Sequence, residues 1–314
     1  MSAILLGNGL NRCIEGYPSW ESLLRTLGNE FFYSIGRESN PLLQFDMMMC
    51  NAYREHGEGD SEFRLWQLLK ELNIENLTPD DADFLASVAT SGVKTILTTN
   101  YDYNLENALF HCPWSPYRDN ELVNKYQFEH VASDKRHALI GDLEIHHIHG
   151  ELNYRKSICL GITKYIDNLA KTMELLSFDD SEMPATNLQR LIVEEVFSRT
   201  GWKKTWAELL FNTDIYIVGL GLSEAELDLW WLLMRRAQLL SYKEFQGKIT
   251  NHIYYFSLTE GDAADTSSLE ALGITVKPFS VTDGNWKGAY RAVWNEIYRM
   301  ENRDMSDVTQ LDLS

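Results

Sequence analysis

Paired cysteines are missing from this chain. Its 314 residues include four, Cys13, Cys50, Cys112 and Cys159. No C-x-x-C occurs, which argues against a structural zinc knot and equally against a disulfide framework. Basic charge is also scarce, with 28 Lys and Arg against 46 Asp and Glu and a formal net charge of -18. A surface of that sign repels phosphate backbones and anionic lipid, so neither nucleic acid nor membrane is an expected partner. A buried nucleotide phosphate is still permitted, because local backbone dipoles govern such a site. Long apolar runs are absent too. The longest, around LDLWWLLMRR, is too short for a bilayer span and ends in two arginines. No basic segment with a cleavage site precedes the first apolar run, so no secretory leader is expected. These absences together predict a reduced, cytoplasmic, soluble protein.

What is present is an ordinary globular composition, 44% hydrophobic and 24% charged. Short apolar runs end abruptly in polar turn residues: AILLGNG (3–9), KTILTTN (94–100), EIHHIHG (144–150), DIYIVGLG (214–221), HIYYFSL (252–258) and ITVKPFS (274–280). Runs of this length read as buried strands, and their continuous hydrophobicity suits parallel strands covered on both faces. Helical periodicity lies between them, as in Trp20, Leu23, Leu24 and Leu27, or Leu227, Trp230, Trp231 and Met234. The predicted fold is α/β, a Rossmann-like doubly wound parallel sheet. Its core comes from about 1–19, 90–155 and 209–300, and the helix-rich intervals at about 20–89 and 156–208 form an inserted helical module. Residues 301–314 form a polar, acidic tail expected to fray.

Ligands in open α/β sheets bind beyond the carboxyl ends of strands, so the polar strand ends are the candidate site. In LLGNGLN, Gly7 and Gly9 permit close backbone approach to a phosphate, and Asn8 and Asn11 can bond a ribose or carboxamide. A glycine turn before a helix explains the same residues. In TILTTNYD, the cluster of Thr98, Thr99, Asn100 and Asp102 is denser than a helix cap requires, although Asn100 or Asp102 alone would serve as one. In EIHHIHGEL, strand alternation puts His147, His149 and Glu151 on one face, a metal-like pattern with no further ligands nearby. Backbone-bonded structural histidines are the alternative for His146 and His147. In GLGLSEAE, Gly219 and Gly221 loosen a strand end, and Ser223 with Glu226 reads as a capping box.

In this order, the motifs G-N-G-L-N with G-Y-P-S-W-x-x-L-L, then T-T-N-Y-D, H-x-H-G-E-L and G-L-G-L-S-E-A-E resemble the Sir2-like family of sirtuin-fold NAD-binding domains. The likeness is to the divergent bacterial branch of NAD hydrolases and runs from residue 5 to about 226. It implies that Gly7, Asn8, Gly9 and Asn11 cradle the phosphates and ribose of NAD. Asn100 and Asp102 would stand beside the nicotinamide ribose with Thr99, and His149 would be the catalytic histidine. Gly219, Gly221 and Ser223 would line the other ribose or the adenine side, while Pro18 and Trp20 would close over the substrate. Three departures stand out. Gly221 replaces the serine of the usual G-x-S, asparagines replace the Ala and Ser of the deacylases' first motif, and the four-cysteine zinc module is missing. The last argues against acyl-lysine peptide binding.

The implied reaction is cleavage of the nicotinamide–ribose bond of NAD to nicotinamide and ADP-ribose, with NAD as substrate and no metal. Such cleavage builds oxocarbenium character, and the enzyme must orient the ribose and place a nucleophile on the opposite face. Asn100 would hold the water or ribose diol, Asp102 would stabilise positive charge or orient Asn100, and His149 would accept a proton. The resemblance further implies an antiviral effector that depletes NAD when triggered, working as a homo-oligomer or with a partner protein of a multi-gene defence system. The alternatives are a non-catalytic NAD or ADP-ribose sensor, a metal-dependent hydrolase using His147 and His149, and, last, a deacylase.

Overall fold

A computed structural model describes the chain except residues 1, 32, 34–39, 75, 119, 121, 125–131, 134–136, 177–204, 246, 263 and 312–314. Eight strands form one sheet: β1 (Ser2–Leu6), β2 (Thr95–Thr98), β3 (Leu122–Asn124), β4 (Ala138–Ile140), β5 (Leu143–His147), β6 (Asp214–Val218), β7 (Ile253–Thr259) and β8 (Thr275–Ser280). Their order is β3-β4-β5-β2-β1-β6-β7-β8, parallel from β5 to β8, with β3 and β4 antiparallel at one edge. All six apolar runs singled out above are strands. The β3–β4 pair was not legible, because two three-residue strands carry too little alternation to show.

β1 is central, and all five of its residues are buried. Successive side chains alternate between two cores. Ile4 and Leu6 join Phe84, Val293 and Trp294 on one face, while Ala3 and Leu5 join Trp206, Phe211, Leu229 and Leu232 on the other. Burying a leucine of this kind stabilises by roughly 1.5–3 kcal/mol. β8, at the free edge, is largely exposed and accommodates Pro278, which would cost a ladder bond in an inner strand.

Three helices, α1 (Trp20–Glu30), α2 (Pro41–His56) and α3 (Glu58–Lys70), form the inserted module. Ser19 caps α1 by accepting from the Ser22 N–H, and Asn40 caps α2 ahead of Pro41 at its first position. Their apolar faces make a third core of Leu23, Leu24, Leu27, Phe45, Met48 and Leu69, closed by Leu152, Ile158 and Leu160 from the segment after β5. The module is shorter than the sequence suggested. α4 (Pro79–Ala86) belongs to the sheet layer, its Phe84 and Leu85 packing into the core beside β1. From the second predicted insertion, α6 (Gly161–Leu176) is described and packs on α2, following α5 (Asn104–His111) in the chain. Of the helix-rich insertion predicted at about 156–208, residues 177–204 lie outside the described residues.

After α7 (Leu209–Asn212), α8 runs Leu227–Ser241, α9 Ser267–Ala271 and α10 Trp286–Leu311. α10 continues to Leu311, past residue 301 where the acidic tail begins. Ahead of the tail, Arg299 pairs with Glu296 one turn earlier at 3.6 Å. The capping box at Ser223 does not form. α8 begins four residues later, and Ser223 Oγ accepts instead from the Ala225 N–H at 3.3 Å. Glu226 is thereby released from capping.

Candidate active site

The connections from β1 lead to β2 on one side, and those from β6 lead to β7 on the other. The loops after β1 and β6 therefore meet at the switch point, where such sheets bind ligands. Backbone bonds carry the ladder past the strands: Gly7 N–H to Val218 O (3.0 Å), Gly9 N–H to Gly219 O (2.7 Å), Thr99 N–H to Leu6 O (3.1 Å) and Ile148 N–H to Thr98 O (2.9 Å). Gly7 and Gly9 are required by this approach. A Cβ on Gly7 would stand 2.5 Å from the Leu220 Cα, and one on Gly9 would stand 2.5 Å from the Tyr290 hydroxyl.

The resulting cavity, about 230 Å³, is bounded by Asn8, Thr99, Asn100, His149 and Ser223 from the strand ends. Tyr17 through Glu21 form a second wall, Leu42 and Leu72 come from the helical module, and Tyr101, Tyr165, Ala225 and Glu226 complete the lining. Pro18 and Trp20 thus reach the cavity as expected. Among the described residues, no lysine or arginine lines it. The Asn8 Oδ1 is buried with no hydrogen-bond partner. It is an acceptor held in readiness for a donor such as a hydroxyl or carboxamide N–H.

Several predicted site residues act from behind the wall. Asp102, 3% exposed, accepts from Asn11 Nδ2 (2.9 Å), Tyr17 Oη (2.7 Å) and the Asn104 N–H (3.1 Å). Burial pushes its carboxyl pKa upward, opposed by the Tyr17 and Asn104 donors. Asp102 does not line the cavity and makes no bond to Asn100; its contacts hold Asn11 and Tyr17 in place. Asn11 is likewise buried behind the wall, with its amide committed to Asp102. Gly7, Gly9 and Gly219 are the packed backbone beneath the cavity, and Gly221 does not line it. Asn100 does face the cavity. Its Nδ2 is 3.4 Å from Gly7 O, and its backbone N–H bonds Thr98 Oγ1 at 3.1 Å.

His149 is 1% exposed. Its Nε2 lies 3.1 and 3.2 Å from the two carboxylate oxygens of Asp228. Asp228 also accepts from Asn168 Nδ2 (3.1 Å) and the Leu229 N–H (2.9 Å). Asp228 thus gathers the Asn168 and Leu229 donors alongside His149, an arrangement that favours the imidazole tautomer with its proton on Nε2. Nδ1 is left to exchange a proton, with Tyr165 Oη at 3.2 Å and Glu226 Oε2 at 3.7 Å. Burial lowers the pKa of the imidazole, but the Asp228 charge and hydrogen bond outweigh it and raise the pKa overall.

The metal alternative does not assemble as drawn from strand alternation. β5 ends at His147, which turns to Glu106 (Nε2 to Oε1, 2.8 Å) and the Asn100 carbonyl (2.7 Å), and Glu151 accepts from Tyr103 Oη (2.8 Å). Among the described residues, the group with metal-donor chemistry is His149, Glu226 and Asp228, whose ligand atoms lie within 4.8 Å of one another. His146 is 1% exposed and lies against His137, the rings tilted by 40° with centroids 5.0 Å apart. Sequence reasoning missed Asp228, Glu226, Tyr165 and Glu106. The available signal was Asp228 itself, an acid set inside the apolar stripe LDLWWLL.

A doubly wound sheet with a cavity at its switch point defines a Rossmann-like α/β class of protein. Residues 94–276 match the SIR2-like domain, more than half of the chain, and the protein belongs to that family. The matched stretch contains Asn100, Asp102, His149 and Ser223, while the β1 loop precedes it. Sir2-like domains take NAD as substrate, which marks this chain as an NAD-related enzyme. No curated protein matches it.

Proposed function

We propose that the protein hydrolyses NAD+ to nicotinamide and ADP-ribose. One observation carries the reading. The exchangeable nitrogen of a carboxylate-oriented histidine, His149, and the neutral amide of Asn100 face the same cavity in a Sir2-like domain. Nicotinamide leaves as a neutral molecule, so no acid is needed to protonate it. The work left to the protein is to hold the ribose, position water and take up that water's proton. Asn100 suits the first two tasks and His149 the third. Asn8 Oδ1 supplies an acceptor for the carboxamide or a ribose hydroxyl, and Ser223 supplies a hydroxyl from another strand end. With no lining cation among the described residues, the pyrophosphate would rest on backbone N–H groups. Trp20 and Tyr101 also line the cavity, suited to shielding the reacting bond from bulk water.

The fit to acyl-lysine peptide transfer is poorer, since the helical module stands where the deacylases carry a zinc module. Depletion of NAD as an antiviral effector, released by self-assembly or by a partner protein, is part of the same proposal and rests on the family resemblance. The test is chromatographic detection of nicotinamide and ADP-ribose from NAD+ across the oligomeric states of the full chain. His149→Ala and Asn100→Ala should each slow release by about 10²–10⁴-fold. NAD+ loss that survives both substitutions together overturns the reading, whereas calorimetric binding of NAD+ with no nicotinamide release identifies a sensor.

A further inference from the structure

Glu226 was expected to close a capping box and does not. It is the N-cap residue of α8, yet its side chain makes no cap bond. The carboxylate turns to the cavity wall, where Oε2 is 3.7 Å from His149 Nδ1 and 3.4 Å from Tyr165 Oη. Tyr165 Oη is also 3.2 Å from Nδ1, so its single proton is shared between the two acceptors. The side chain is 19% exposed, against 0% for Asp228 and 2% for His149. Of the three, Glu226 has the greatest access to the cavity.

Resting on the hydrolase reading, we propose that Glu226 is a catalytic residue, the terminal acceptor of the proton released by the attacking water. The bond between ribose and nicotinamide breaks with its electron pair passing to the pyridine nitrogen, and nicotinamide leaves neutral. A lone pair of water forms the new bond to the anomeric carbon. The water's proton passes directly, or by exchange through Nδ1 of His149, to a carboxylate oxygen of Glu226. Charge balances throughout. A site holding Asp228 and Glu226 as carboxylates and His149 as the neutral, Nε2-protonated imidazole has two negative charges, against the single positive charge on the substrate's pyridinium. After cleavage the proton on Glu226 leaves one negative charge in the site beside neutral nicotinamide, so the total is unchanged, and product release returns the proton to solvent.

Burial holds the Glu226 carboxyl above the ordinary carboxylate range, moderated by His149 and raised further by Asp228. That direction suits a base working near neutral pH. The charged and titratable groups facing it are His149 from the β5 end, Asp228 from α8, and Tyr165 from α6, with Tyr101 and Cys159 beside them.

Steady-state cleavage of NAD+ by the full chain tests this. Glu226→Gln should lower kcat by about 10²–10⁴-fold with KM changed by no more than about threefold, and Glu226→Asp should retain part of the rate. The acidic limb of the kcat profile should move in Glu226→Gln, and formate should restore turnover to Glu226→Ala. Wild-type kcat in Glu226→Gln, or a loss confined to KM, overturns the proposal while leaving the hydrolase reading intact. Absence of cleavage by the wild-type chain in every assembly state overturns both. If Glu226→Gln does not fold, the pH profile of Glu226→Asp takes its place. An acidic limb displaced from that of the wild type supports the proposal, and an unchanged limb overturns it.

Discussion

His147 and His149 stand two residues apart, both buried, each with Nε2 against a carboxylate. Glu106 faces the first and Asp228 the second, so each histidine is made more basic than it would be in water. Their second nitrogens separate them. Nδ1 of His147 ends on the Asn100 carbonyl, and the ring is sealed between two acceptors. Nδ1 of His149 ends on a hydroxyl at a cavity wall. A carboxylate partner therefore does not by itself make a histidine chemical. An exchangeable nitrogen with access to substrate does. The sealed pair serves the other indirectly, since His147 fixes the backbone of Asn100.

The largest expected effects split along this division. His149→Ala or Asp228→Asn should reduce turnover by about 10²–10⁴-fold, the latter because an amide no longer enforces the Nε2-protonated tautomer. Retention of wild-type kcat by Asp228→Asn would remove the distinction. Glu106→Gln should show the opposite pattern, destabilising the fold by about 3–5 kcal/mol as a buried charge loses its partner. Urea unfolding is the measurement, and a variant of undiminished stability would mean that the sealed pair is not structural.

A third test uses pH. His147 is raised to about 9 from 6.5, burial working against it and Glu106 prevailing. A folded pKa above the unfolded one contributes stability that is complete below about 6.5 and lost as pH rises through about 9. The stability gap between wild type and His147→Gln should therefore shrink over that window; a gap that widens contradicts the assignment. The smallest effect is expected from Tyr165→Phe, which deletes one hydroxyl beside Nδ1. Its cost should be near that of a single hydrogen bond, about 0.5–1.5 kcal/mol in the barrier, read as a kcat reduced by about tenfold or less.

The strand ends were legible because a buried parallel strand must be apolar to its last residue, and the loop after it must be polar to meet a ligand. That rule located Asn8, Thr99, Asn100, His149 and Ser223 on one cavity. Asn11 and Asp102, from the same loops, instead bond each other behind the wall. The distinction depends on a rotation of the loop that no local pattern encodes. Ser223 and Glu226 failed differently. Their spacing satisfies a capping box, but tertiary contact with His149 and Tyr165 takes Glu226 away, a case of long-range partners overriding a local preference.

By itself the sequence determined the α/β class, the six longer strands and the family, because these follow from periodicity, turn chemistry and short motifs along the chain. Tertiary structure alone decided which carboxylate meets which histidine. Asp228 lies 79 residues from His149, and Glu106 lies 41 from His147. Only the packing of α8 and α5 against opposite faces of the sheet, and not their separation along the chain, brings those charges within hydrogen-bond range.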